Sequence, residues 1–396
     1  MTATGPTTAL DVVDVVALGE SMVTFLPSRP GRLADVPSFD RAIGGAESNV
    51  ACMLAAAGHS ARWVSRVGAD GFGDHLVETI GAYGVDVSAV RRDPARPTGV
   101  YFRTAGDRAG DGHEVAYYRT GSAASAMSAE NMDLQAVRAG RVLHLSGITA
   151  ALSDGCFALL WQLTAPRPDR PLISFDVNFR PGLWRDADGP RVLLDLARRA
   201  DIVFIGTDEA HAAWGVTGGP AEIRELLPEP EVLVVKEGAR GATAFETVGP
   251  RAAVPLAGVS PRAVVSPGAA RVGAGGTPPA LGCATDPRPA PTPPTEQPTF
   301  APALTVDIAA AVGAGDAFAA GFLSATLRNL PVGTRLRHGH LMAAAALTTP
   351  GDLATPPARD HADRLAALDD AAWGRLRLGP GWTVARDRAE EEVRTP

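Results

Sequence analysis

Short apolar runs alternate along this chain with longer stretches that have the residue spacing of helices. The run at residues 12–18 is rich in β-branched side chains and ends at Gly19, which predicts a buried strand. Similar patterns predict strands at 63–67, 142–145, 172–175, 202–205 and 232–235, and helices at 47–57, 72–83, 157–164 and 192–200. Strands that alternate with helices indicate a mostly parallel sheet covered on both faces, whose ligands collect at the carboxyl ends of the strands.

The segment 98–120 follows a different pattern. Apolar and polar residues alternate in it, and the apolar positions include Tyr101, Phe102, Tyr117 and Tyr118. This alternation predicts an antiparallel pair of strands. We expect the pair to form a small flap, or lid, beside the main sheet.

Region 249–303 interrupts the alternation of strands and helices. It contains more than a third of the chain's 33 prolines, many alanines and glycines, and almost no aromatic residues. Such a composition buries too little apolar surface to offset chain entropy, so we expect a disordered or loosely attached insert. The charged tail at 386–396 is expected to fray. These boundaries predict one folded domain, formed by 12–248 and 304–378.

Composition narrows the classes of function. The chain has 396 residues, of which 45% are hydrophobic, and this is enough to bury a large core. Its net charge is -7 and it has no basic stripe with interleaved aromatics, so nucleic acid is not an expected partner. No apolar run is long enough for a membrane span and residues 1–14 do not resemble a secretory signal, so a cytoplasmic location is expected. Three widely spaced cysteines form neither a disulfide framework nor a zinc site.

The sharpest candidate for chemistry is Gly313-Ala314-Gly315-Asp316, a glycine-rich turn that opens an apolar helix. Free backbone N–H groups and the helix dipole at such a turn bind anions. A carboxylate beside an anion site is unfavourable unless it has a task, and the natural task is to accept a proton from an attacking hydroxyl. The turn would then hold the transferred phosphoryl group. The alternative is an ordinary helix start with Asp316 stabilised by the dipole.

A second glycine-rich stretch lies at 44–51. Gly45 permits close approach of the backbone to a ligand, and Asn49 offers a donor and an acceptor that suit sugar hydroxyls. A plain turn followed by a helix explains the stretch equally well.

Three further stretches carry polar groups at expected ligand positions. Asn178 and Arg180 follow the strand at 172–175, and Arg180 has the geometry to bind a carboxylate or phosphate. Tyr117 and Arg119 lie in the flap and are suited to cover a ligand and hold its anionic end. The turn at 236–241 follows another strand and is able to pass over a nucleotide. The alternatives are a surface ion pair of Arg180, cross-strand packing in the flap and a plain hairpin turn.

Taken together and in this order, the motifs resemble those of the ribokinase-like, PfkB-type carbohydrate kinases. The resemblance runs from about Val15 to Leu378, apart from the proline-rich insert, with family signatures at 44–51 and 312–322. It implies a ribokinase-like three-layer α/β/α fold with a mostly parallel central sheet and a small β lid. It also implies transfer of phosphate from ATP, with Mg²⁺, to a sugar, and it leaves open a homo-oligomer formed through the flap.

Within the family the closest similarity is to 2-keto-3-deoxygluconate kinases, through 19–22, 117–125, 176–184 and 350–352. That resemblance implies a substrate site at Gly45, Tyr101, Tyr117, Arg119, Arg180 and Asp352, beside Asn49. It implies a nucleotide site at Asn178, Lys236, Gly238, Gly241, Gly313, Ala314 and Gly315, with Asp316 as the base. The expected reaction is the phosphorylation of 2-keto-3-deoxygluconate to its 6-phosphate. Residues 22–24 lack the aspartate with which ribokinases and adenosine kinases hold ring hydroxyls, which argues against ribose and nucleosides.

The chain departs from the family pattern near the phosphates. Gly206 replaces the asparagine of an Asn-x-x-Glu motif, which leaves Glu209 as the candidate residue near a metal. Alanines at 309–311 stand where an acidic residue is usual. These changes keep open two alternatives: a kinase for another sugar, such as fructose, and a catalytically weak sugar-binding or regulatory protein on the same fold.

Overall fold

The computed structural model describes residues 11–29, 31–104, 114–184, 188–247, 297–310 and 312–384. Its strands are β1 (Val13–Leu18), β2 (Met22–Pro27), β3 (Phe39–Gly44), β4 (Ala61–Val64), β5 (Arg66–Gly68), β6 (Arg91–Asp93), β7 (Val100–Arg103), β8 (Val115–Tyr118), β9 (Gly140–Ser146), β10 (Leu172–Asp176), β11 (Ile202–Gly206), β12 (Val232–Lys236), β13 (Gly241–Glu246), β14 (Thr299–Pro302), β15 (Thr305–Val306) and β16 (Arg377–Leu378). Its α-helices are α1 (Ala46–Ala56), α2 (Gly71–Ala82), α3 (Leu134–Arg138), α4 (Gly147–Ala150), α5 (Asp154–Leu163), α6 (Gly189–Ala197), α7 (Thr207–Trp214), α8 (Pro220–Leu226), α9 (Ala314–Leu327), α10 (Val332–Leu347), α11 (Arg359–Ala366) and α12 (Asp370–Trp373).

Eight strands form the main sheet in the order β14-β13-β12-β11-β10-β9-β1-β4. The pairs from β12 to β4 are parallel, whereas β13 pairs antiparallel with both β12 and β14. The predicted mostly parallel sheet is therefore confirmed. Because parallel strands run the same way, their carboxyl ends meet along one edge, and the loops that follow them build the ligand site there.

The main sheet is buried on both faces, which explains its unbroken apolar strands. Along β11, Val203 and Ile205 pack in one core with residues of α5 and α6, while Ile202 and Phe204 pack in a second core with residues of α1 and α9. Alternate side chains of a strand point to opposite faces, so helices cover both sides of the sheet. The molecule has the three-layer α/β/α arrangement that the sequence predicts.

The flap is a four-stranded sheet of order β3-β2-β7-β8. The predicted antiparallel pair at 98–120 is confirmed by β7 and β8, in which Tyr101 lies opposite Tyr117. Strands β2 and β3 were not predicted; β2 pairs parallel with β7 and antiparallel with β3. Exposed charged residues such as Asp40 and Arg41 weaken the apolar signal of β3.

The structure corrects one predicted strand and extends the sheet at another place. The strand predicted at 63–67 is divided between two strands. Strand β4 pairs with β1 and ends at Val64, whereas β5 pairs with β6 in a separate sheet. Arg66 of β5 binds the buried Asp93 of β6 at 2.9 Å. Residues 249–296 of the predicted insert and the tail at 386–396 lie outside the described residues. The last part of the region predicted as insert is strand β14, paired with β13. Among the described helices, none combines the length and apolar character needed to cross a membrane.

Candidate active site

The glycine-rich turn before α9 has a backbone that requires glycine. Gly313 has φ +72°, and a Cβ atom there would lie 2.3 Å from the carbonyl oxygen of Asp352. Both facts exclude an ordinary side chain. The turn delivers Ala314 as the first residue of α9 and places Asp316 in the helix's first turn, near the free N–H groups.

Asp316 contacts the second glycine-rich stretch. The side-chain amide of Asn49 donates a hydrogen bond to Asp316 Oδ2 at 2.9 Å. Burial raises the pKa of Asp316 to about 7; the bond from Asn49 opposes this rise, and nearby Asp176 adds to it. A carboxyl group with this pKa exchanges protons near neutral pH, as a general base must.

A cavity of about 500 Å³ opens in front of Asp316, between the main sheet and the flap. It collects nearly all of the residues that the sequence predicts for a site. Its lining includes Gly45, Asn49, Tyr101, Tyr117, Arg119, Asn178, Arg180, Glu209, Lys236, Gly313, Ala314, Gly315, Asp316 and Asp352.

A smaller apolar cavity of about 240 Å³ adjoins the first one. It holds the two remaining predicted residues, Gly238 and Gly241, and its walls include Phe318. Lys236, Ala314 and Gly315 line both cavities. The glycine-rich turn thus lies between a large cavity bordered by many charged side chains and a small apolar one.

Among the described residues, four cations line the large cavity, and each is paired with a carboxylate. The pairs are Arg103–Asp352 at 3.0 Å, Arg119–Glu20 at 2.7 Å, Arg180–Glu209 at 3.1 Å and Lys236–Asp176 at 3.2 Å. Paired in this way, the cations are oriented but carry little surplus positive charge.

Glu20 was not predicted as a site residue. It follows β1, is buried, and accepts hydrogen bonds from Arg119 and from the Ser122 hydroxyl at 2.6 Å. It therefore fixes Arg119 in the flap against the main sheet. Its position just after the first strand was the available signal, since ligand sites form at strand ends.

Arg103 and Asp176 were also missed as site residues. Arg103 and Tyr101, two positions apart on β7, both bind Asp352, the tyrosine hydroxyl at 2.8 Å. Residues two apart on a strand share a face, so the prediction for Tyr101 already indicated Arg103. Asp176 ends β10 and pairs with Lys236, which lies at the end of a strand two positions away in the sheet.

Asn178 has an unusual backbone and an unused acceptor. Its φ is +43°, in the left-handed region that asparagine tolerates better than most residues. Its side chain is 5% exposed, and the Oδ1 atom has no hydrogen-bond partner among the described residues. A buried polar atom without a partner at a cavity wall is suited to bind a ligand.

Both carboxylate oxygens of Glu209, the candidate metal residue, accept hydrogen bonds from other residues of the protein. One carboxylate oxygen accepts the Gly206 N–H at 2.9 Å and caps α7, and the other accepts a bond from Arg180. Within the residues that the structure describes, no group of three or more His, Cys, Asp and Glu side chains is arranged to hold a metal ion. The described residues alone therefore do not form a dedicated metal site.

The chain matches the profile of the pfkB family carbohydrate kinases over residues 13–275 and 295–359. It is 31% identical to the 2-dehydro-3-deoxygluconokinase of Bacillus subtilis, over 88% of this chain and 94% of the relative. It is 34% identical to the enzyme of that name from Thermoproteus tenax, over 59% and 72%. A probable fructokinase-6 of Arabidopsis thaliana is 31% identical over 57% and 60%.

Solved structures have the same fold. A PfkB protein from Polaromonas is 28% identical, with a TM-score of 0.68 over 89% of this chain and 99% of the other. A sugar kinase from Pyrococcus horikoshii, solved in complex with ATP, is 21% identical, with a TM-score of 0.67 over 90% and 98%. The family profile covers most of the sequence, and a relative aligns over nearly its whole length. The chain therefore belongs to the PfkB family of carbohydrate kinases.

Proposed function

We propose that this kinase phosphorylates 2-keto-3-deoxygluconate (2-dehydro-3-deoxygluconate) at its terminal hydroxyl, with Mg-ATP as donor. The observation that carries the proposal is the position of Asp316. Its carboxylate lines the large cavity, next to the turn that this cavity shares with the small apolar one. A base at that junction meets a sugar hydroxyl on one side and a terminal phosphate on the other. The name shared by two relatives supports the choice of sugar acid.

The chemistry requires few groups. Asp316 removes the proton of the hydroxyl, and the oxygen attacks the γ-phosphoryl group in line, with ADP as the leaving group. The free N–H groups of the turn at 313–315 stabilise charge on the transferred phosphoryl group. Lys236 Nζ lies 3.6 Å from the position a Cβ atom on Gly315 would take, close enough to add a positive charge there. The apolar cavity that contains Gly238 and Gly241 accommodates the base of the nucleotide.

Two arginines are suited to bind the carboxylate of an acidic substrate. Arg119 and Arg180 line the large cavity, and a guanidinium has five N–H donors, so pairing with one carboxylate leaves others for a ligand. Arg180 is the more accessible, with 37% of its side chain exposed. We assign it the carboxylate of the sugar acid, with Arg119 and Tyr117 closing over it from the flap.

A neutral sugar such as fructose is the second candidate. Every cation that the described residues contribute to the large cavity has a carboxylate partner, so these residues supply no surplus positive charge that would demand an acidic ligand. The similarity to a fructokinase agrees with this alternative. The two candidates differ in what Arg180 does, because only an acid requires its charge.

A coupled assay of ADP release over 2-keto-3-deoxygluconate, 2-keto-3-deoxygalactonate, fructose and ribose distinguishes these substrates. We expect the highest kcat/KM for 2-keto-3-deoxygluconate and a selective loss for the acids in Arg180→Met. Preference for fructose with no effect of Arg180→Met supports the second candidate. Sugar binding without ADP release from any of the four indicates the catalytically weak protein.

Replacement of Asp316 by Asn tests the base. We expect kcat to fall by a factor of about 10² to 10⁴ while sugar binding is kept, because loss of a general base removes proton transfer but not the cavity. Asp154→Asn, the same change in the first turn of α5, is the matched control and should keep full activity. An Asp316→Asn protein with near-normal kcat would rule out the proposed role.

A further inference from the structure

A separate cavity lies at the opposite end of the strands from Asp316. It has a volume of about 210 Å³ and is bounded by the end of α3, the end of α5 and the segment that leads into β10. Its lining is Arg138, Leu143, Leu163, Arg167, Pro168, Asp169, Arg170 and Pro171. Because Arg138 precedes β9 and Pro171 precedes β10, the cavity lies where these strands begin, away from the proposed sugar and nucleotide sites.

The charges in this cavity are unbalanced. Arg170 is neutralised by Asp201, which accepts two of its hydrogen bonds at 2.6 and 2.7 Å. The guanidinium groups of Arg138 and Arg167, in contrast, have no ion pair or hydrogen bond to any described residue, although Asp169 also lines the cavity. Two guanidinium groups therefore line this cavity without a paired carboxylate among the described residues.

The position of Arg138 makes this arrangement unusual. Its side chain is partly buried at the end of α3, and burial together with the nearby charge of Arg167 lowers the pKa of Arg138. Unpaired arginines normally extend into water, where their charge is hydrated. A partly buried arginine that faces a second arginine is stabilised when an anion lies between them.

We propose that the cavity formed by Arg138 and Arg167 binds a small phosphate dianion, either inorganic phosphate or a compact phosphate monoester. Two guanidinium groups match the charge and the several oxygens of a phosphate. The apolar walls formed by Leu143, Leu163 and Pro171 accommodate a short carbon chain but no further charge. The volume suits a ligand much smaller than a nucleotide.

Thermal unfolding of the full chain tests this site. Inorganic phosphate and glycerol 3-phosphate are titrated at constant ionic strength, since a ligand that binds the folded state raises the Tm with its concentration. Phosphate also stabilises proteins without specific binding and binds at glycine-rich turns, so the measured quantity is the difference between variants. The variants are Arg138→Gln, Arg167→Gln and the double change. Arg191→Gln, an exposed arginine of α6, is the matched control.

We expect the phosphate-dependent rise in Tm to fall by at least half in each single variant, to disappear in the double variant beyond the non-specific effect, and to remain in Arg191→Gln. Loss for only one of the two probes also supports the site and identifies which source of phosphate it takes. An equal rise in all proteins overturns the proposal and leaves a solvated pair of arginines. If Arg138→Gln does not fold, Arg167→Gln still decides, because that side chain is exposed.

Crystals grown with selenate provide a second measurement. Anomalous scattering locates selenium directly, so a peak between Arg138 and Arg167 that is absent in Arg167→Gln supports the site. A selenium peak at the turn 313–315 without a peak in the cavity of Arg138 and Arg167 contradicts the proposal.

Discussion

Asp316 and Asn49 are 267 positions apart in the chain, yet they share a hydrogen bond in the middle of the candidate site. Each lies in a glycine-rich stretch that sequence reasoning identified from turn chemistry alone. The bond between them was not predictable, because it depends on α1 and α9 packing side by side. Its donor is an amide and its acceptor a carboxylate, so it favours the ionised form of Asp316.

The hydrogen bond between Asn49 and Asp316 leads to a prediction about how activity depends on pH. Asp316 has a raised pKa of about 7 and must be ionised to act as a base, so kcat/KM should fall as the pH drops through 7. In Asn49→Ala the ionised form loses a donor, the pKa of Asp316 rises further, and the acidic limb of the pH profile should move to higher pH. Ser48→Ala is the control, since the Ser48 hydroxyl bonds to Ser21 and Gly45 and not to Asp316. An acidic limb that stays in place in Asn49→Ala would contradict this role for the bond.

Other site residues show where reasoning from sequence stops. Tyr101 and Arg180 were found because their motifs are local. The ion pairs of Glu20 with Arg119 and of Arg103 with Asp352 were not predicted, because the partners lie 99 and 249 positions apart. An ion pair between distant residues leaves no periodic pattern, so only the folded chain reveals it.

At the scale of elements, the central strands were predictable and the flap was only partly so. Strand β11 is buried on both faces and its unbroken apolar run is unmistakable, whereas β3 is exposed along much of its length and mixes apolar with charged residues. The pairing of β2 with β7 joins segments far apart in the chain. No local propensity specifies such a contact.

The flap is attached to the main body through the N-cap of α2. Asp70 accepts bonds from the Gly73 N–H at 2.8 Å and from the N–H and hydroxyl of Thr98, at 2.9 and 2.8 Å, just before β7. Burial alone would raise the pKa of Asp70, but the bonds from Thr98 and Gly73 outweigh it and lower the pKa. One carboxylate thus caps a helix and fixes the start of a flap strand.

Replacement of Asp70 by Ala should lower the free energy of unfolding by about 1–2 kcal/mol, the usual cost of losing an N-cap. Because the folded-state pKa of Asp70 is lowered, its contribution is present above the unfolded pKa of about 3.9 and is lost as the pH falls through the folded value. Urea unfolding at pH 7 and at successively lower pH measures both effects, and the gap between wild type and Asp70→Ala should narrow in acid.

Asp74→Ala is the matched control in the same helix. Asp74 binds Arg92 at 2.9 Å, but its side chain is 64% exposed, so its removal should cost less than about 1 kcal/mol. Equal losses in the two variants would mean that Asp70 acts only as a surface charge.

At the scale of the whole molecule, two paired strands of the main sheet are connected by a region that the sequence predicts as an insert. Strands β13 and β14 form an antiparallel pair in which Ala244 lies opposite Thr299. The chain between them includes the proline-rich residues 249–296, and the family profile leaves 276–294 unmatched. The neighbouring cavity with Gly241 and Ala303 is the one we assign to the nucleotide.

We predict that replacing 249–296 by a short Gly-Asn-Gly turn preserves both fold and activity. The β13–β14 pair keeps its register in such a hairpin, and a shorter connection lowers the entropy cost of closure, by up to about 2 kcal/mol. The Tm should therefore equal or exceed that of the full chain, with kcat and the KM for ATP unchanged. A second variant that replaces 249–296 by an equally long Gly-Ser sequence separates length from composition. If the short variant folds but has a raised KM for ATP, and the Gly-Ser variant shows the same rise in KM, residues of this region contribute to the nucleotide site and the prediction is wrong.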